Sequence, residues 1–392
     1  MYDCTLGIAD AHSDYCASSC FAPNDCESRI YEAIEKSIAR MSDPTQEYFD
    51  TIDELLSKET ILKMGAARVQ KIGDSLYFDG GGLSFRFLSH LRVISEHIGE
   101  FRDFDAVFMT NDDISFSSNK VSNDFLYSGP ILVVNYKKHY SQYEIANHNN
   151  LVLIPDYYVL KSHSYANKIK TLNKLANKLD FDTAVDEAMF RGMGSGKVIN
   201  GPRGSIASIN DNPRLKLPLL NFLFDDYLDV GLNQHTPGVN PSDLKVAQLE
   251  KIYDDLMGNK SQNFLPIEEQ AKYKYILSLD GFASSWSRPQ IICFTQSLLL
   301  YQTEYVQWFQ PALLSGVHYR PVNYDLGNLL EQINWAREHT SEVKEIIKNQ
   351  NEVAHNCFTP AKAEEQLVHT LKIYAERFQY NITNRGFPVY KE

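Results

Sequence analysis

The chain has 392 residues, longer than one average domain of about 150 residues, so its length favours two packed domains. Hydrophobic residues make up 43% and charged residues 22%, which is ordinary for a globular protein and excludes a wholly disordered chain. Acidic residues outnumber basic ones by 50 to 38, and because this net charge of −12 opposes contact with a phosphate backbone, we expect no nucleic-acid partner.

The amino terminus and the cysteines bear on the compartment. The first ten residues have neither a basic start nor an apolar run, so they do not predict a secretory signal. If Met1 is the natural start, we expect a cytoplasmic protein; if it is not, a lumenal one. Four cysteines lie close together in the sequence, at positions Cys4, Cys16, Cys20 and Cys26, while Cys293 and Cys357 stand alone. The four are expected to be free thiols in a reducing compartment or two disulfides in an oxidising one.

Helices and strands alternate in the first part of the chain. Hydrophobic spacing and turn residues predict helices at 29–41, 46–62 and 84–98 and a short strand at 75–78. Strand-length apolar runs follow at 104–110, 130–135 and 151–155. Buried strands that alternate with helices indicate an α/β layer with a largely parallel sheet. A polar helix at 165–179 is the predicted bridge to the next domain.

A second α/β block is predicted from residue 188 onwards. Helices are expected at 242–257, 325–339, 341–349 and 360–378, and strands at 273–279, 291–294 and 297–301. Two α/β halves of similar size suggest a ligand cleft between them.

A glycine-rich segment from Phe190 to Lys197 follows a predicted strand, as phosphate-binding loops do. Its spacing is neither that of a Walker A loop nor that of a complete Rossmann fingerprint. Arg191, Lys197 and Arg203 place three cations within 13 residues of an acidic chain. A diphosphate ligand would explain this local reversal of charge, and a flexible surface loop is the alternative.

A second segment, residues 272–288, is a predicted strand that ends in Asp280-Gly281 and continues through small and hydroxyl residues to Arg288. Backbone N–H groups, serine hydroxyls and an arginine at such a turn suit pyrophosphate oxygens. An ordinary strand-to-helix turn is the alternative.

Titratable side chains stand beside two further predicted elements. Asp112 and Asp113 follow the strand at 104–110, where active sites of α/β proteins usually lie, and either carboxylate could accept the proton of an attacking hydroxyl. A turn is the alternative, since Asn-Asp-Asp is favourable turn chemistry. Asp325 is predicted to be a helix N-cap, and His318 a satisfied core histidine.

Taken together, these segments resemble one family: the lipopolysaccharide-modifying, capsule-associated glycosyltransferases, which include the KDEL-containing protein O-glucosyl- and O-xylosyltransferases. The resemblance is densest from Phe264 to Phe387. The segments that carry it are Lys272-Tyr273-Lys274-Tyr275, Leu279-Asp280-Gly281, Glu304-Tyr305-Val306-Gln307-Trp308-Phe309, Val317-His318-Tyr319-Arg320-Pro321-Val322, Phe190-Arg191-Gly192 and Ile154-Pro155-Asp156-Tyr157.

The resemblance implies two Rossmann-like domains in the glycosyltransferase B arrangement, with a cleft between them. It implies a UDP-sugar donor and metal-independent transfer with inversion at the sugar carbon, without another cofactor. Asp112 best matches the family's catalytic Asp, and Asp113 stays the alternative because Ile114 stands where the family commonly has Pro. The residues implied to bind the sugar donor are Arg191, Ser195, Arg203, Phe282, Ala283, Ser284, Ser285 and Arg288.

The expected division of the chain follows from the same resemblance. Residues 1–165 would form an acceptor-side domain, 166–358 the nucleotide-sugar domain, and 359–392 a helix and tail that pack back on the first domain. The expected acceptor is a lipopolysaccharide or surface glycan, reached through peripheral contact at the inner face of the membrane. The alternatives are a Ser of a folded protein domain, or a relative that binds nucleotide sugar without transferring it.

Overall fold

The computed structural model describes residues 25–50, 66–80, 85–110, 129–137, 150–160, 163–176, 178–195, 212–234, 251, 255, 265–281, 283–379 and 382. These residues form two five-stranded sheets and a two-stranded ribbon, with helices packed around them. The α/β fold class predicted from the sequence is confirmed, whereas the domain boundaries stay a prediction. Among the described residues, no helix is both long and apolar enough to span a bilayer.

The helices of the described residues, numbered in chain order, are α1 (Cys26–Ala39), α2 (Phe85–Glu96), α3 (Tyr157–Leu160), α4 (His163–Ala176), α5 (Pro213–Leu223), α6 (Ile267–Gln270), α7 (Arg288–Ile292), α8 (Leu329–Glu338), α9 (Thr340–Cys357) and α10 (Pro360–Arg377). The strands are β1 (Ala66–Ile72), β2 (Ser75–Gly80), β3 (Phe104–Met109), β4 (Ile131–Val133), β5 (Asn135–Lys137), β6 (Leu151–Leu153), β7 (Val185–Met193), β8 (Leu228–Gln234), β9 (Tyr273–Ser278), β10 (Leu298–Tyr301), β11 (Tyr305–Gln307) and β12 (Arg320–Pro321).

The first sheet has the order β2-β1-β3-β4-β6 and is mixed. Strand β1 pairs antiparallel with both β2 and β3, whereas β3, β4 and β6 are parallel. Arg68 on β1 is fully buried, and its guanidinium donates to both carboxylate oxygens of Asp105 on β3 at 2.7 and 2.6 Å. The amide of Gln70 donates to the same carboxylate, so this buried charge pair is well hydrogen-bonded.

The second sheet has the order β12-β10-β9-β7-β8, and every pairing in it is parallel. Counted along the chain, the five strands have the order 2-1-3-4-5 when read from β8, which is that of a doubly wound sheet. The direction of winding reverses between β7 and β9. In such sheets a crevice opens at this reversal, outside the carboxyl ends of the strands, and ligands bind there. We call the carboxyl ends of β7 and β9 the switch point.

The two sheets are joined by direct contacts. Strand β5 from the first part of the chain pairs antiparallel with β11 from the second. One buried apolar cluster contains Phe104 of the first sheet and Ile276 of the second. On α10, the hydroxyl of Tyr374 donates to the carbonyl of Asp105, and Glu364 accepts from Arg92 on α2 at 2.5 Å. The last long helix is therefore anchored to the layer of the first sheet.

Helix α1 forms because Asp25 caps it, accepting from the Ser28 N–H, and because Ile30, Ile34 and Ile38 recur on one buried face. Its first residue, Cys26, forms a disulfide with Cys357 at the end of α9, 331 positions away. The expectation that disulfides would join the four amino-terminal cysteines to one another is therefore wrong for Cys26. Cys357 is not an isolated cysteine, since the fold brings both ends of the described chain together. Cys293 is a buried free thiol.

Several predicted elements differ from the structure. The apolar segment 291–294 is not a strand: α7 ends at Ile292 and a turn follows, because Pro289 favours the first turn of a helix. Strand β1, helix α5 and strand β8 were absent from the sequence prediction. Asp325 is not an N-cap; it accepts from the N–H of Gly327 in a turn, and α8 begins after Asn328. Residues 46–50 are helical as predicted, while most of the helices predicted at 46–62 and 242–257 lie outside the described residues.

Candidate functional site at the switch point

The switch point is surrounded by side chains from four segments: the end of β7, the start of α5, the end of β9 and the residues after it. Helix α5 begins here because Asn212 caps it, accepting from the backbone N–H groups of Arg214 and Leu215. The side-chain amide of Asn212 also donates to the carbonyl of Gly194, 2.9 Å away. This pair of contacts fixes the amino terminus of α5 beside the chain that leaves β7.

Arg214 bridges the two strand ends. Its guanidinium donates to the hydroxyl of Ser195 at 2.9 Å and to the carbonyl of Leu279 at 2.7 Å, and its Nη1 lies 3.3 Å from the carbonyl of Met193. Burial lowers the pKa of Arg214 to about 10, and the nearby Asp280 carboxyl opposes that shift, so the guanidinium stays charged at neutral pH. The sequence did not single out this arginine.

Arg288, which the sequence did single out, bridges the same two strands. Its Nε donates to the carbonyl of Leu277 on β9, and its Nη1 to the carbonyl of Arg191 on β7, at 3.0 and 3.2 Å. Its Nη2 donates to the side chain of Gln270 at 3.1 Å. Burial, followed by the positive charges of Arg214 and Arg191, lowers the pKa of Arg288 to about 9.

In the part of the chain that the structure describes, no carboxylate lies within hydrogen-bonding distance of the Arg214 or Arg288 guanidinium. Arg214 and Arg288 both lie against the ring of Phe190, with their guanidinium carbons 5.7 and 5.3 Å from its centre. Among the described residues, neither forms an ion pair with a carboxylate. Two mutually repelling cations at the carboxyl ends of parallel strands form a site that an anion would stabilise.

Arg191 is placed differently from the other two arginines. Its Nη2 lies 3.0 Å from both oxygens of the Asp229 carboxylate on β8, and Tyr273 also donates to that carboxylate. This buried ion pair ties together β7, β8 and β9. The predicted contact of Arg191 with a diphosphate stays a prediction, and the position gives the side chain a structural role in the sheet.

The residues that follow β9, 281 and 283–287, form a tight turn that we call the serine turn. A Cβ on Gly281 would lie 2.9 Å from the hydroxyl oxygen of Ser195 and 3.1 Å from the guanidinium carbon of Arg214, so a side chain here would force the site apart. Ser285 is hydrogen-bonded to Ser278 at 2.8 Å. The buried hydroxyl of Ser284 has no partner among the described residues.

Asp280 separates the serine turn from β9 and is buried. One of its carboxyl oxygens accepts from the backbone N–H of Glu304 at 2.6 Å, and the other has no hydrogen-bond partner among the described residues. Burial raises the pKa of Asp280 to about 7, against the effect of the Glu304 N–H and Arg214. This carboxyl therefore titrates near neutral pH beside the positive charge of Arg214.

The structure brings together five of the predicted site residues, namely Arg191, Ser195, Ser284, Ser285 and Arg288, with Ala283 buried in the same turn. The predicted catalytic residues Asp112 and Asp113, and the predicted sugar-donor contacts Arg203 and Phe282, lie outside the described residues. Their roles stay predictions. The sequence signal that could have found Arg214 is Asn212-Pro213-Arg214, because Asn followed by Pro often marks the start of a helix. In an α/β sheet the helix that follows a strand begins near that strand's carboxyl end, so an arginine in its first turn lies close to the strand end.

Among the described residues, no three His, Cys, Asp or Glu side chains are grouped as a metal site would need. A surface pocket of about 430 Å³ lies between α4 and the start of α10, lined by Ile169, Lys170 and Pro360 among others. Its lining shares no residue with the switch point.

A doubly wound parallel sheet with two arginines at its switch point is an arrangement that suits an anionic ligand, and comparison with known proteins shows what part of the chain is similar to. Residues 235–387 match the model of the family described as "Glycosyl transferase family 90". The resemblance that the sequence carries is thus confirmed over this segment of the chain. The matched segment contains β9, the serine turn and Arg288.

Individual relatives agree with the family model. Protein O-glucosyltransferase 3 of Mus musculus is 32% identical over 106 residues, which is 27% of this chain and 21% of that protein. Protein O-glucosyltransferase 1 of Homo sapiens is 23% identical over 154 residues, or 39% of each chain. The chain therefore spans well under half the length of these relatives. The solved structure of Anabaena HepE in complex with UDP and glucose is similar with a TM-score of 0.41 and 13% identity, over 72% of this chain and 74% of that one.

Proposed function

We propose that this protein is an inverting glycosyltransferase that moves a sugar from a UDP-sugar to a hydroxyl group. The observation that carries the proposal is the pair of bridging arginines, Arg214 and Arg288, at the switch point of a sheet whose matched segment belongs to a glycosyltransferase family. Neither guanidinium has a carboxylate partner among the described residues. A diphosphate is the anion that a nucleotide-sugar transferase must hold.

The chemistry of the leaving group explains why two arginines suit this place. When the sugar departs, negative charge develops on the β-phosphate oxygen of UDP. Positive groups that are fixed in advance, partly buried and away from bulk water stabilise that charge more than mobile ones do. Arg214 and Arg288 are fixed by backbone carbonyls on both strands, and they would take the part that a divalent metal takes in other transferases.

The reaction needs a base for the acceptor hydroxyl, and we propose Asp112, with Asp113 as the alternative. The acceptor oxygen would form a bond to the anomeric carbon while the bond from that carbon to the diphosphate breaks. The electron pair of the broken bond leaves with UDP, and the hydroxyl proton passes to the Asp112 carboxylate. Both aspartates follow β3, so the proposal places the base on the first sheet and the nucleotide on the second, across the cleft of a glycosyltransferase B arrangement.

Two observations favour a protein hydroxyl over a lipopolysaccharide or surface glycan as the acceptor. Two of the relatives that the chain resembles are named protein O-glucosyltransferases. The Cys26–Cys357 disulfide also favours an oxidising, lumenal compartment, because disulfides are rare in reducing cytosol. We therefore propose a Ser or Thr of a secreted or lumenal protein domain as the first candidate, and a glycan acceptor as the second.

The proposed function is tested by measuring UDP release from a panel of UDP-sugars in the presence of EDTA, with folded disulfide-bonded protein domains and surface glycans as candidate acceptors. We expect one sugar donor to be used, with release accelerated by a protein acceptor and unaffected by EDTA. Asp112→Asn is expected to reduce turnover by about 10²- to 10⁴-fold without changing the Kd for UDP, because only the proton transfer is lost.

Asp113→Asn is the matched control and is expected to retain turnover. Loss of turnover in the Asp113 variant alone would identify Asp113, and not Asp112, as the base. Dependence on added Mg²⁺ or Mn²⁺ would contradict the metal-independent mechanism. If UDP did not bind at all, the proposal would be overturned.

A further inference from the structure

Trp286 stands out in the serine turn because of its backbone. Its φ of 46° is in the left-handed region, which a residue with a large side chain rarely adopts. Residues in such conformations are strained and persist only where the surrounding structure holds them. The residue lies two positions after Ser284 and two before Arg288. A strained aromatic residue is therefore part of the same turn as the proposed contacts to the nucleotide sugar.

The side chain of Trp286 leaves the second sheet and packs on helices of the first. Its ring lies 5.5 Å from the ring of Tyr157 and 5.4 Å from that of Tyr158, both on α3 and both edge-on to it. The guanidinium carbon of Arg86, on α2, lies 5.3 Å from the Trp286 ring and 5.1 Å from the Tyr157 ring. These aromatic and cation–π contacts are attractive and hold the ring in place.

This aromatic bridge, defined as Trp286, Tyr157, Tyr158 and Arg86, reaches solvent. Tyr158 is 43% exposed, although Tyr157 beside it is buried. The bridge is thus at the edge of the junction between the two sheets, and it starts from the turn that follows β9. Any movement of the first-sheet helices relative to that turn would have to displace the Trp286 ring.

We propose that Trp286 is a positioning residue that couples the serine turn to the acceptor-side helices, so that the sugar of the bound donor is shielded from water until the acceptor hydroxyl attacks. The inference rests on the proposed function and adds to it a determinant of transfer against hydrolysis. Water is the competing nucleophile for a bound UDP-sugar, and closing an active site suppresses such side reactions. With the ring removed, the turn would keep its hydroxyls and arginine but lose its hold on α2 and α3.

The test compares Trp286→Ala and Trp286→Phe with Trp335→Phe. Trp335 is a matched control because it also pairs with an arginine, its ring lying 3.8 Å from the Arg320 guanidinium carbon, but on α8 within the second sheet's own layer. Two rates are measured with UDP-glucose, or with the donor found in the panel: UDP release in water alone, and release with the acceptor. The Kd for UDP is measured for each variant by calorimetry.

We expect Trp286→Ala to lower the ratio of transfer to hydrolysis at least tenfold, because a small misplacement of reacting groups can cost on the order of 10²-fold. Its Kd for UDP should stay within about threefold of the parent, since no nucleotide contact is removed. The ratio of transfer to hydrolysis for Trp286→Phe should lie between those of the parent and Trp286→Ala, and the ratio for Trp335→Phe should equal that of the parent. Tyr158→Ala removes the partner ring of Trp286 on α3 and leaves the sequence of the serine turn unchanged. It is expected to lower the ratio of transfer to hydrolysis in the same way.

A second readout uses the fluorescence of the three tryptophans. UDP should change the emission of the parent and of Trp335→Phe, and the change should disappear in Trp286→Phe. A transfer-to-hydrolysis ratio that is unchanged in both Trp286→Ala and Tyr158→Ala would overturn the inference while leaving the proposed function intact. Loss of UDP binding in proportion to a lowered melting temperature would also overturn it, since Trp286 would then only support the fold. Absence of transfer by the parent would remove the proposed function itself.

Discussion

Arg214 and Arg288 illustrate how single residues acquire a role. Arg288 was singled out because it closes a strand–turn–arginine segment that is continuous in the sequence. Arg214 lies 19 positions from Ser195, its hydrogen-bond partner, and in the sequence it has no feature that links it to the glycine-rich segment. Only the return of α5 to the end of β7 places its guanidinium beside Ser195 and Gly281. The two arginines at this switch point therefore come from parts of the chain that are distant in the sequence.

A prediction at this scale concerns the affinity for UDP. Arg214→Leu should raise the Kd for UDP by about 10- to 100-fold, because hydrogen bonds to charged groups contribute roughly 1.5–3 kcal/mol. Arg214→Lys should lose part of that affinity, since an ammonium keeps the charge but not the planar fork. Calorimetric titration with UDP measures both.

Arg337→Leu is the control for that experiment, because Arg337 donates to the carbonyls of Asp186 and Asp226 near the amino end of β7. It should bind UDP as the parent does. Equal losses in the Arg214 and Arg337 variants would show that the effect is general destabilisation and not a contact with the nucleotide.

Among the secondary-structure elements, α1 has the most distant partners. It is covalently joined to α9 through Cys26 and Cys357, and the guanidinium of Arg29 donates to the carbonyls of Pro311 and Ala312. The ring of Tyr31 stacks on His369 of α10 at 4.0 Å. This helix fastens the start of the described chain to its last helices, which explains how residues before the first sheet stabilise the second half.

The disulfide should therefore contribute measurably to stability. We expect Cys26→Ser/Cys357→Ser to lower the free energy of unfolding by about 2–5 kcal/mol, as removal of a native disulfide commonly does. Chemical denaturation of both proteins, with and without dithiothreitol, measures this difference in the free energy of unfolding. The reductant should destabilise the parent and leave the double variant unchanged; a reductant effect of equal size on both proteins would mean that the disulfide does not carry the stability.

At the scale of the whole molecule, two buried carboxyls link stability to pH. Burial raises the pKa of Asp156, which caps α3, to about 6, and that of Asp280 to about 7. Both pKa values lie above those of the unfolded chain, near 4 for Asp. The stability that these groups contribute is thus fully present below about pH 4 and is lost as the pH rises through 6 and 7.

The corresponding measurement compares the parent with Asp156→Asn and Asp280→Asn by urea unfolding from pH 4 to pH 8. Relative to the parent, each Asn variant should gain stability as the pH rises, by up to about 3 kcal/mol for Asp156→Asn and about 4 kcal/mol for Asp280→Asn, because one pKa unit corresponds to ~1.4 kcal/mol. Asn keeps an oxygen that accepts the backbone hydrogen bond at each position. A difference that is constant across this pH range would contradict the raised pKa values.

The sequence by itself determined what depends on neighbours along the chain. Helices α1, α2, α4, α9 and α10 and strands β2, β3, β9 and β10 were predicted, because their apolar residues recur at helical spacing or form short buried runs. The strand that ends in Asp280-Gly281 and the turn after it were predicted for the same reason, and motifs in that region pointed to the family whose model matches residues 235–387.

The tertiary structure decided what depends on residues far apart in the chain. The pairing of Cys26 with Cys357, the arrival of Arg214 at the switch point and the packing of Trp286 on α3 join segments separated by many elements. The pairing of Arg191 with Asp229 likewise joins strands that are distant in the sequence. Local patterns specify hydrogen bonding and amphipathic faces within an element, whereas these contacts depend on how elements distant in the sequence pack together; the arrival of Arg214, for example, requires that β7 lie beside β9.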